Sequence, residues 1–338
     1  MKKRYKSKPD DSMRMFVGLD VHKKYTEVAI VDEDGVVAKQ ERIENEPRQI
    51  EEFSNKLSNA TMVLEFSSSW YWLYEILSRK HKVVLSNPAK TKAIASAKLK
   101  TDKVDALMLA NLLRGGYIAE SYVPSRRIMS LRELVRYRAN LVRMRGMIKN
   151  RVHAYLLMNN IKIDYSPFTK DFLEELEKVE DGRVQGYLRI IEALNLEIHE
   201  ASKKICNEAL SDESARLLMT IPGISFYSAL LLVSEIGDVS RFPDSAHLVS
   251  YAGLASSTHS SGGTTCHGRI TKAGSPYLRW VLNQCTWVHV RNEPEGSIAV
   301  FYERLRRKKG HSKANVAASA KLLKIVYWVL KEKRPYHG

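Results

Sequence analysis

Met15-Phe-Val-Gly-Leu-Asp20 is a short apolar run that ends in an acid, and Thr61-Met-Val-Leu-Glu65 repeats the pattern. Between them lie Thr26-Glu-Val-Ala-Ile-Val31 and Val36 to Ile43, two further strand-like runs separated by the turn sequence Asp32-Glu-Asp-Gly35. The first three runs predict a meander. Pro47 to Leu57 then reads as a helix, with proline at its start and Ile50, Phe53 and Leu57 on one face. After the strand over 61–65, a helix over 69–79 and a strand Lys82-Val-Val-Leu85 complete the pattern.

Three antiparallel strands followed by alternating helix and strand is the order of a ribonuclease-H-like fold, an α/β arrangement. In that order Asp20 ends the central strand and Glu65 ends the strand beside it. A helix starting near Thr101 brings Asp102 and Asp105 to the same end, their spacing of three placing both on one face. Taken singly, each acid has an ordinary role: Asp20 can cap a turn, Glu65 can close a surface strand, and Asp102 and Asp105 favour a helix N-terminus. Together, four carboxylates repel and raise each other's pKa, so the cluster is stable chiefly when divalent cations neutralise it. Two such ions about 4 Å apart stabilise the attacking and leaving oxygens of a phosphodiester displacement. His22, in Asp20-Val-His-Lys23, is a candidate ligand or substrate-orienting group, although a lone histidine is more often neither.

The chain has 338 residues, enough for roughly two or three domains, and its 44% hydrophobic content supports packed cores. Lys and Arg number 54 against 38 Asp and Glu, a formal net charge of +16. Such an excess attracts polyanions, so nucleic acid is the first candidate partner, with binding that weakens as salt rises. Cys206, Cys266 and Cys285 are few, odd in number and without C-x-x-C spacing, which fits a reducing cytosol rather than a disulfide framework or a structural zinc. No stretch approaches the roughly 18 apolar residues of a membrane span, and the basic N-terminus is not followed by the apolar run of a signal peptide.

From Ser125 the character changes. Residues 126–151 hold nine Arg and Lys, including Arg132, Arg136, Arg143 and Lys149, against the single acid Glu133, which reads as a basic helix with a phosphate-contacting face or a solvated one. Leu134, Leu141, Ile148 and Tyr155 recur every seven residues, as do Val184, Ile191, Ile198 and Ile205. Two such stripes predict an antiparallel coiled-coil hairpin over 125–210. Beyond it, Leu217-Leu-Met-Thr-Ile-Pro-Gly-Ile224 before the apolar 229–236 reads as a helix-hairpin-helix element in which Gly223 lets backbone N–H groups approach a phosphate, or as a plain turn. Ser256-Ser-Thr-His-Ser-Ser-Gly-Gly-Thr-Thr265 reads as a small polar loop, since Ser and Gly clusters are usually connectors. A serine in it needs activation to act as a nucleophile, and His259 and His267 are the adjacent bases. Helices follow near 275–291, 294–308 and 312–332.

With these residues assembled, the chain resembles the DEDD-type insertion-sequence transposases, the family that includes pilin-gene invertases and bridge-RNA-guided recombinases. The matching stretches are Gly18-Leu-Asp-Val-His-Lys23, Leu64-Glu65, Lys100-Thr-Asp-Lys-Val-Asp-Ala106, Ile221-Pro-Gly-Ile224, Tyr251-Ala-Gly-Leu254, Ser261-Gly262, and Ile270-Thr-Lys-Ala-Gly274 with Leu278-Arg279. The resemblance implies a RuvC-like domain over 14–124, the hairpin over 125–210 and a mostly helical transposase domain over 211–338. It implies metal-binding, catalytic carboxylates at Asp20, Glu65, Asp102 and Asp105, with Mg2+ as cofactor. It implies a nucleophile at Ser261, which attacks a DNA phosphodiester and holds a covalent phosphoserine link. Lys272 and Arg279, in the last matching stretch, join the candidate nucleic-acid contacts. Expected partners are donor and target DNA, a structured guide RNA, and further copies of the chain in a dimer or tetramer with composite sites, in a bacterial or archaeal cytoplasm near the nucleoid. One departure concerns the segment before the serine: the family commonly has proline after Gly-Leu, where this chain has Ala255 and Ser256, and Ser260 stands directly before Ser261 as a rival.

Other readings use the same residues. A RuvC-like, structure-specific nuclease needs only the four acids and a water. An actin-like kinase needs a second glycine-rich phosphate loop in a strand-turn-strand setting, which the sequence lacks. A nucleic-acid-binding protein without chemistry needs only the basic surface.

Overall fold

The computed structural model describes residues 14–67, 69–87, 91, 101–261 and 264–337, which form two compact units, one ending at Val123 and the other beginning at Pro124. The first unit holds a five-stranded sheet of β1 (Met15–Val21), β2 (Tyr25–Val31), β3 (Val37–Glu44), β4 (Ala60–Glu65) and β5 (Lys82–Ser86). Its order is β3-β2-β1-β4-β5, with β1 central. The first three strands pair antiparallel, whereas β1 with β4 and β4 with β5 pair parallel. Among the described residues it is accompanied by α1 (Pro47–Asn55), α2 (Trp70–Leu77) and α3 (Asp102–Arg114). Every strand and helix expected before residue 87 is present, with ends shifted by a few residues. β1 and β4 are apolar on both faces because both are covered: Val17, Leu19, Met62, Val63 and Leu64 are all buried. β3 carries Lys39, Gln40, Glu41 and Arg42 instead, the charged sequence suited to a sheet edge.

Gly18 sets how closely α3 lies on β1. A Cβ there would stand 2.0 Å from the Ala106 carbonyl oxygen and 2.6 Å from the Ala110 nitrogen, so the strand backbone and the small face of the helix touch directly. Residues i and i+2 of a strand share a face, which puts Asp20 on the side that α3 covers. Asp102 lies one helical turn before Ala106. Thr101 caps the helix, its Oγ1 accepting from the Val104 amide, and so fixes Asp102 and Asp105 in the first turn.

The second unit is built on α4 (Arg126–Met158) and α6 (Gly182–Ser211), helices of 33 and 30 residues. Leu131 and Val135 share a core with Ile205 and Ala209, Leu141 packs with Leu194 and Ile198, and Val152 and Leu156 meet Val184 and Ile191, so the two run antiparallel. The heptad of α6 is buried at all four positions. On α4 only Leu141 of the four is fully buried, and Val135 and Val152 share the seam with half-buried Leu134, Ile148 and Tyr155, because a straight helix of 3.6 residues per turn drifts against a seven-residue repeat. A short α5 (Lys170–Glu177) closes the far end with Phe172 and Leu176. At the near end the pair enters a larger core with α7 (Glu213–Leu218), α8 (Phe226–Ile236), α9 (Ser245–Tyr251), α10 (Pro276–Asn292), α11 (Ser297–Lys309) and α12 (His311–Glu332). α8 is buried along nearly its whole length.

One expectation is corrected. The segment read as a polar loop is a β-hairpin, β6 (Ser256–Ser261) with β7 (Thr264–Ile270). Thr258, Thr264, Thr265 and Ile270 are β-branched residues that favour strands, and a Gly-Gly pair between two such runs is itself a hairpin signal. Among the described residues no helix is long and apolar enough to cross a membrane.

Candidate metal centre

Two side chains from the end of β1 and one from α3 meet. His22 Nε2 lies 3.1 Å from Asp20 Oδ2 and 3.3 Å from Asp102 Oδ2. One ligand atom from each of Asp20, His22 and Asp102 lies within 4.8 Å of the others. Glu65 ends β4, and the parallel register that sets Leu19 beside Leu64 makes Asp20 and Glu65 consecutive ends of adjacent strands. Asp105 follows one turn of α3 after Asp102. The Asp20 carboxyl is held above its ordinary pKa, first by burial and then by the charges of Glu65, Asp105 and Asp102, against the lowering effect of His22. Asp20 therefore senses all three other acids, although Glu65 and Asp105 stand outside the closest cluster.

His22 emerges from the strand period: it is two residues beyond Asp20 and shares its face. Tyr25, by contrast, escaped the sequence reading. Tyr25 opens β2 after a tight connection in which the His22 amide donates to the Tyr25 carbonyl, and its hydroxyl donates to Asp102 Oδ2 at 3.1 Å. That bond raises the Tyr25 pKa. The Arg42 guanidinium lies 3.9 Å from the Tyr25 ring centroid, and Arg42 Nη2 is 2.6 Å from Oε1 of Glu27, its cross-strand partner, a carboxylate only 2% exposed. Asn45 completes the support by donating to the His22 carbonyl and accepting from Thr26. No local sequence pattern signals this chain of contacts, because it depends on register across three strands.

The donor set is oxygen-rich with one imidazole, and the burial that raises Asp20 disfavours its charge in the absence of a cation. Both properties fit a small, hard divalent ion.

The remaining candidates are dispersed in the second unit. Ser260 and Ser261 close β6, paired through their backbones with Thr265 and Thr264; their side chains, and Gly262, lie outside the described residues. In the first unit, Lys100 of the Lys-Thr-Asp stretch lies outside them too. Arg132 donates to the carbonyls of Ser234 and Glu235, and Arg136 makes two bonds to the buried Glu235 carboxylate, so both fasten α4 to α8. Arg279 donates to the Ala252 and Gly274 carbonyls. Gly223, at φ +90°, is required by packing, since a Cβ would lie 2.7 Å from the Cys285 oxygen and from the His289 nitrogen. Lys149 sits 4.3 Å from the Phe168 ring centroid, its pKa lowered by burial and by Arg145. Arg143 and Lys272 are exposed and carry no side-chain hydrogen bond or ion pair among the described residues.

Residues 17–159 match the family model for the DEDD transposases of the IS110 group, and residues 215–300 match that of the IS116/IS110/IS902 transposase family, together more than half of the chain. The transposase of insertion sequence element IS1328 from Yersinia enterocolitica is 30% identical over 58% of this chain and 61% of that protein. The pilin gene-inverting protein of Moraxella bovis is 28% identical over 82% of each chain. The IS1111A transposase of Coxiella burnetii is 23% identical over 99% of this chain and 94% of that one. The four acids at one end of the sheet thus sit inside the stretch that the DEDD model matches, and the chain belongs to the IS110 family of DNA transposases and recombinases.

Proposed function

We propose that this transposase excises and inserts an insertion sequence through a ribonuclease-H-like first unit and a serine in the second, guided by a structured RNA. The observation that carries the reading is the convergence of Asp20, His22 and Asp102, with Glu65 and Asp105 near enough to raise the Asp20 pKa. The strand order 3-2-1-4-5 with an antiparallel then parallel sheet supports the fold assignment. Asp20, Glu65, Asp102 and Asp105 are the ligands, with His22 beside them. A bound Mg2+ supplies positive charge against the phosphate and polarises its oxygens. Tyr25 holds one Asp102 oxygen in place.

Ser261 Oγ forms a bond to phosphorus as the bond from phosphorus to a deoxyribose oxygen breaks, and the serine proton ends on that leaving oxygen. The reverse step, with the hydroxyl of another strand, restores the phosphodiester and frees the serine. This divides one exchange of strands into two displacements of similar energy. As the family resemblance implies, the serine of one protomer would meet the acids of another, in a dimer or tetramer. The charge of +16 suits a protein that holds donor DNA, target DNA and RNA by their backbones while base pairing reads sequence.

A second reading is a metal-dependent nuclease with water as nucleophile; it is favoured by the assembly of the acids within the first unit alone. Ser261→Ala separates the two. Loss of both strand transfer and the protein–DNA adduct supports the serine, whereas unchanged transfer assigns the nucleophile to water. Asp102→Asn is expected to abolish DNA breakage with binding retained. Sequencing of RNA that copurifies with the chain is expected to return one enriched structured species, and random host RNA alone would overturn guidance.

A further inference from the structure

A groove of about 480 Å³ opens in the second unit between α4 and the start of α10, within the size range of small-ligand clefts. Ala139, Val142 and Pro276 give it an apolar floor. Its aromatic wall is Trp280, which stays 45% exposed although it is among the largest apolar side chains of the unit, and Tyr277. Trp280 is braced edge-on by Tyr227 at 6.3 Å, so the indole is oriented and still offers surface. The Tyr277 hydroxyl donates to Asn140 Oδ1 at 3.4 Å, and the Asn140 amide nitrogen makes no hydrogen bond of its own among the described residues. Arg138 is braced, its Nε bonded to Ser202 Oγ and its guanidinium 4.3 Å from the Tyr227 ring centroid. Arg143, an exposed residue of the lining, has no partner among the described residues.

We infer that this groove binds an unpaired nucleotide, its base stacked on Trp280 and its phosphate paired with Arg143. This deepens the proposed function and rests on it. No carboxylate lines the groove, so the lining carries only positive charge, which a neutral apolar ligand would leave uncompensated and a nucleotide complements. A free aromatic face beside a cation is the combination by which proteins hold single strands without reading sequence, since every base has a π-face. Double-stranded nucleic acid keeps its bases stacked inside and cannot offer one to the indole. Neither the four acids nor Ser261 is among the residues that line the groove, so the groove is assigned to holding a strand rather than to cutting it.

Fluorescence anisotropy of the full-length chain with a labelled single strand, in deoxyribose and ribose forms, and with the matching duplex tests the inference. Trp280→Ala is expected to weaken single-strand binding about 5- to 150-fold, the effect of losing one base–aromatic stack, with duplex binding changed less than two-fold and Trp280→Phe largely restoring it. Arg143→Gln, at an exposed position whose change leaves the fold intact, is expected to lower the dependence of log affinity on log salt by about 0.7 for the single strand. Loss confined to the ribose strand assigns the groove to RNA, and loss confined to the deoxyribose strand assigns it to a DNA strand. Single-strand binding unchanged in both variants overturns the inference while leaving the transposase reading intact. A change of oligomeric mass by light scattering, with anisotropy unchanged, gives the groove to a second copy of the chain and overturns it equally. Absence of any nucleic-acid binding by the unaltered chain overturns the function on which the inference rests.

Discussion

Asp20 illustrates how a single side chain records its surroundings. Its carboxyl is pushed up by burial first and by three neighbouring acids next, so in the metal-free fold the proton is held more tightly than in the unfolded chain. A raised folded-state pKa means that this contribution to stability is present at low pH and is lost as pH rises through the raised value. Thermal melts of the metal-free chain are therefore expected to show a stability deficit toward neutral pH that Asp20→Asn removes, while Mg2+ no longer raises the melting temperature of that variant. A deficit unchanged by the substitution would place the destabilising charge elsewhere. Tyr25 makes the complementary case, since it touches the cluster only through Asp102. Groups that orient a ligand typically contribute 10- to 100-fold in metal affinity. Tyr25→Phe is expected to weaken Mn2+ or Mg2+ binding by about that factor in calorimetric titration with the melting temperature nearly kept. The acids were legible in the sequence because strand ends and helix starts have local signatures. Tyr25, Arg42 and Glu27 were not, because their contacts arise from cross-strand register that no local pattern encodes.

At the scale of the element, the decisive contact is helix α3 on strand β1. Gly18, Ala106 and Ala110 allow the backbones to touch, and the Asp-bearing first turn is carried to the strand end as a consequence. Gly18→Ala forces a methyl group to within 2.0 Å of a backbone oxygen that belongs to the helix and cannot rotate away. Overpacking of this kind costs about 1–3 kcal/mol or more. The variant is expected to melt at lower temperature and to bind metal more weakly than the unaltered chain; retained metal affinity would show that the acids do not depend on this contact. The helix α4 to α8 contact obeys a different rule. Arg136 is bound in two places to Glu235, whose side chain is 2% exposed, so Arg136→Ala strands a buried charge at a cost of about 3–5 kcal/mol. Chemical denaturation of the variant measures that cost directly, and a change under 1 kcal/mol would mean that Glu235 finds water or another partner. Periodicity revealed both long helices, and the stripe on α6 is buried where the spacing puts it. Charge counting alone could not separate Arg132 and Arg136, turned to α8, from Arg143, left to solvent. The hairpin over 256–270 was missed because serine and glycine composition outweighed its β-branched residues.

Across the whole molecule, the division of labour follows the division into units. Asp20, His22, Glu65, Asp102, Asp105 and the Tyr25–Arg42–Glu27 support all precede Val123, and the first unit has its own sheet and core. The groove at Trp280 and the backbone of Ser261 belong to the second unit, whose core is formed mainly by helices. Most of this plan was legible in the sequence: an α/β part carrying four carboxylates, a basic long-helix part and a helical remainder. What the sequence did not disclose is that the near end of the long-helix pair joins the same core as α7 to α12, because heptad spacing marks a seam and not where it ends. The excess of positive charge is global, but a metal site is local, and the two respond differently to division of the chain. A fragment spanning residues 14–123 carries every proposed ligand together with the contacts that orient them. It is expected to bind Mn2+ in calorimetric titration within a few-fold of the full chain's affinity while losing the salt-dependent DNA affinity that the basic second unit confers. An affinity more than ten-fold below that of the full chain, in a fragment that keeps a cooperative melt, would show that the second unit supplies part of the metal centre.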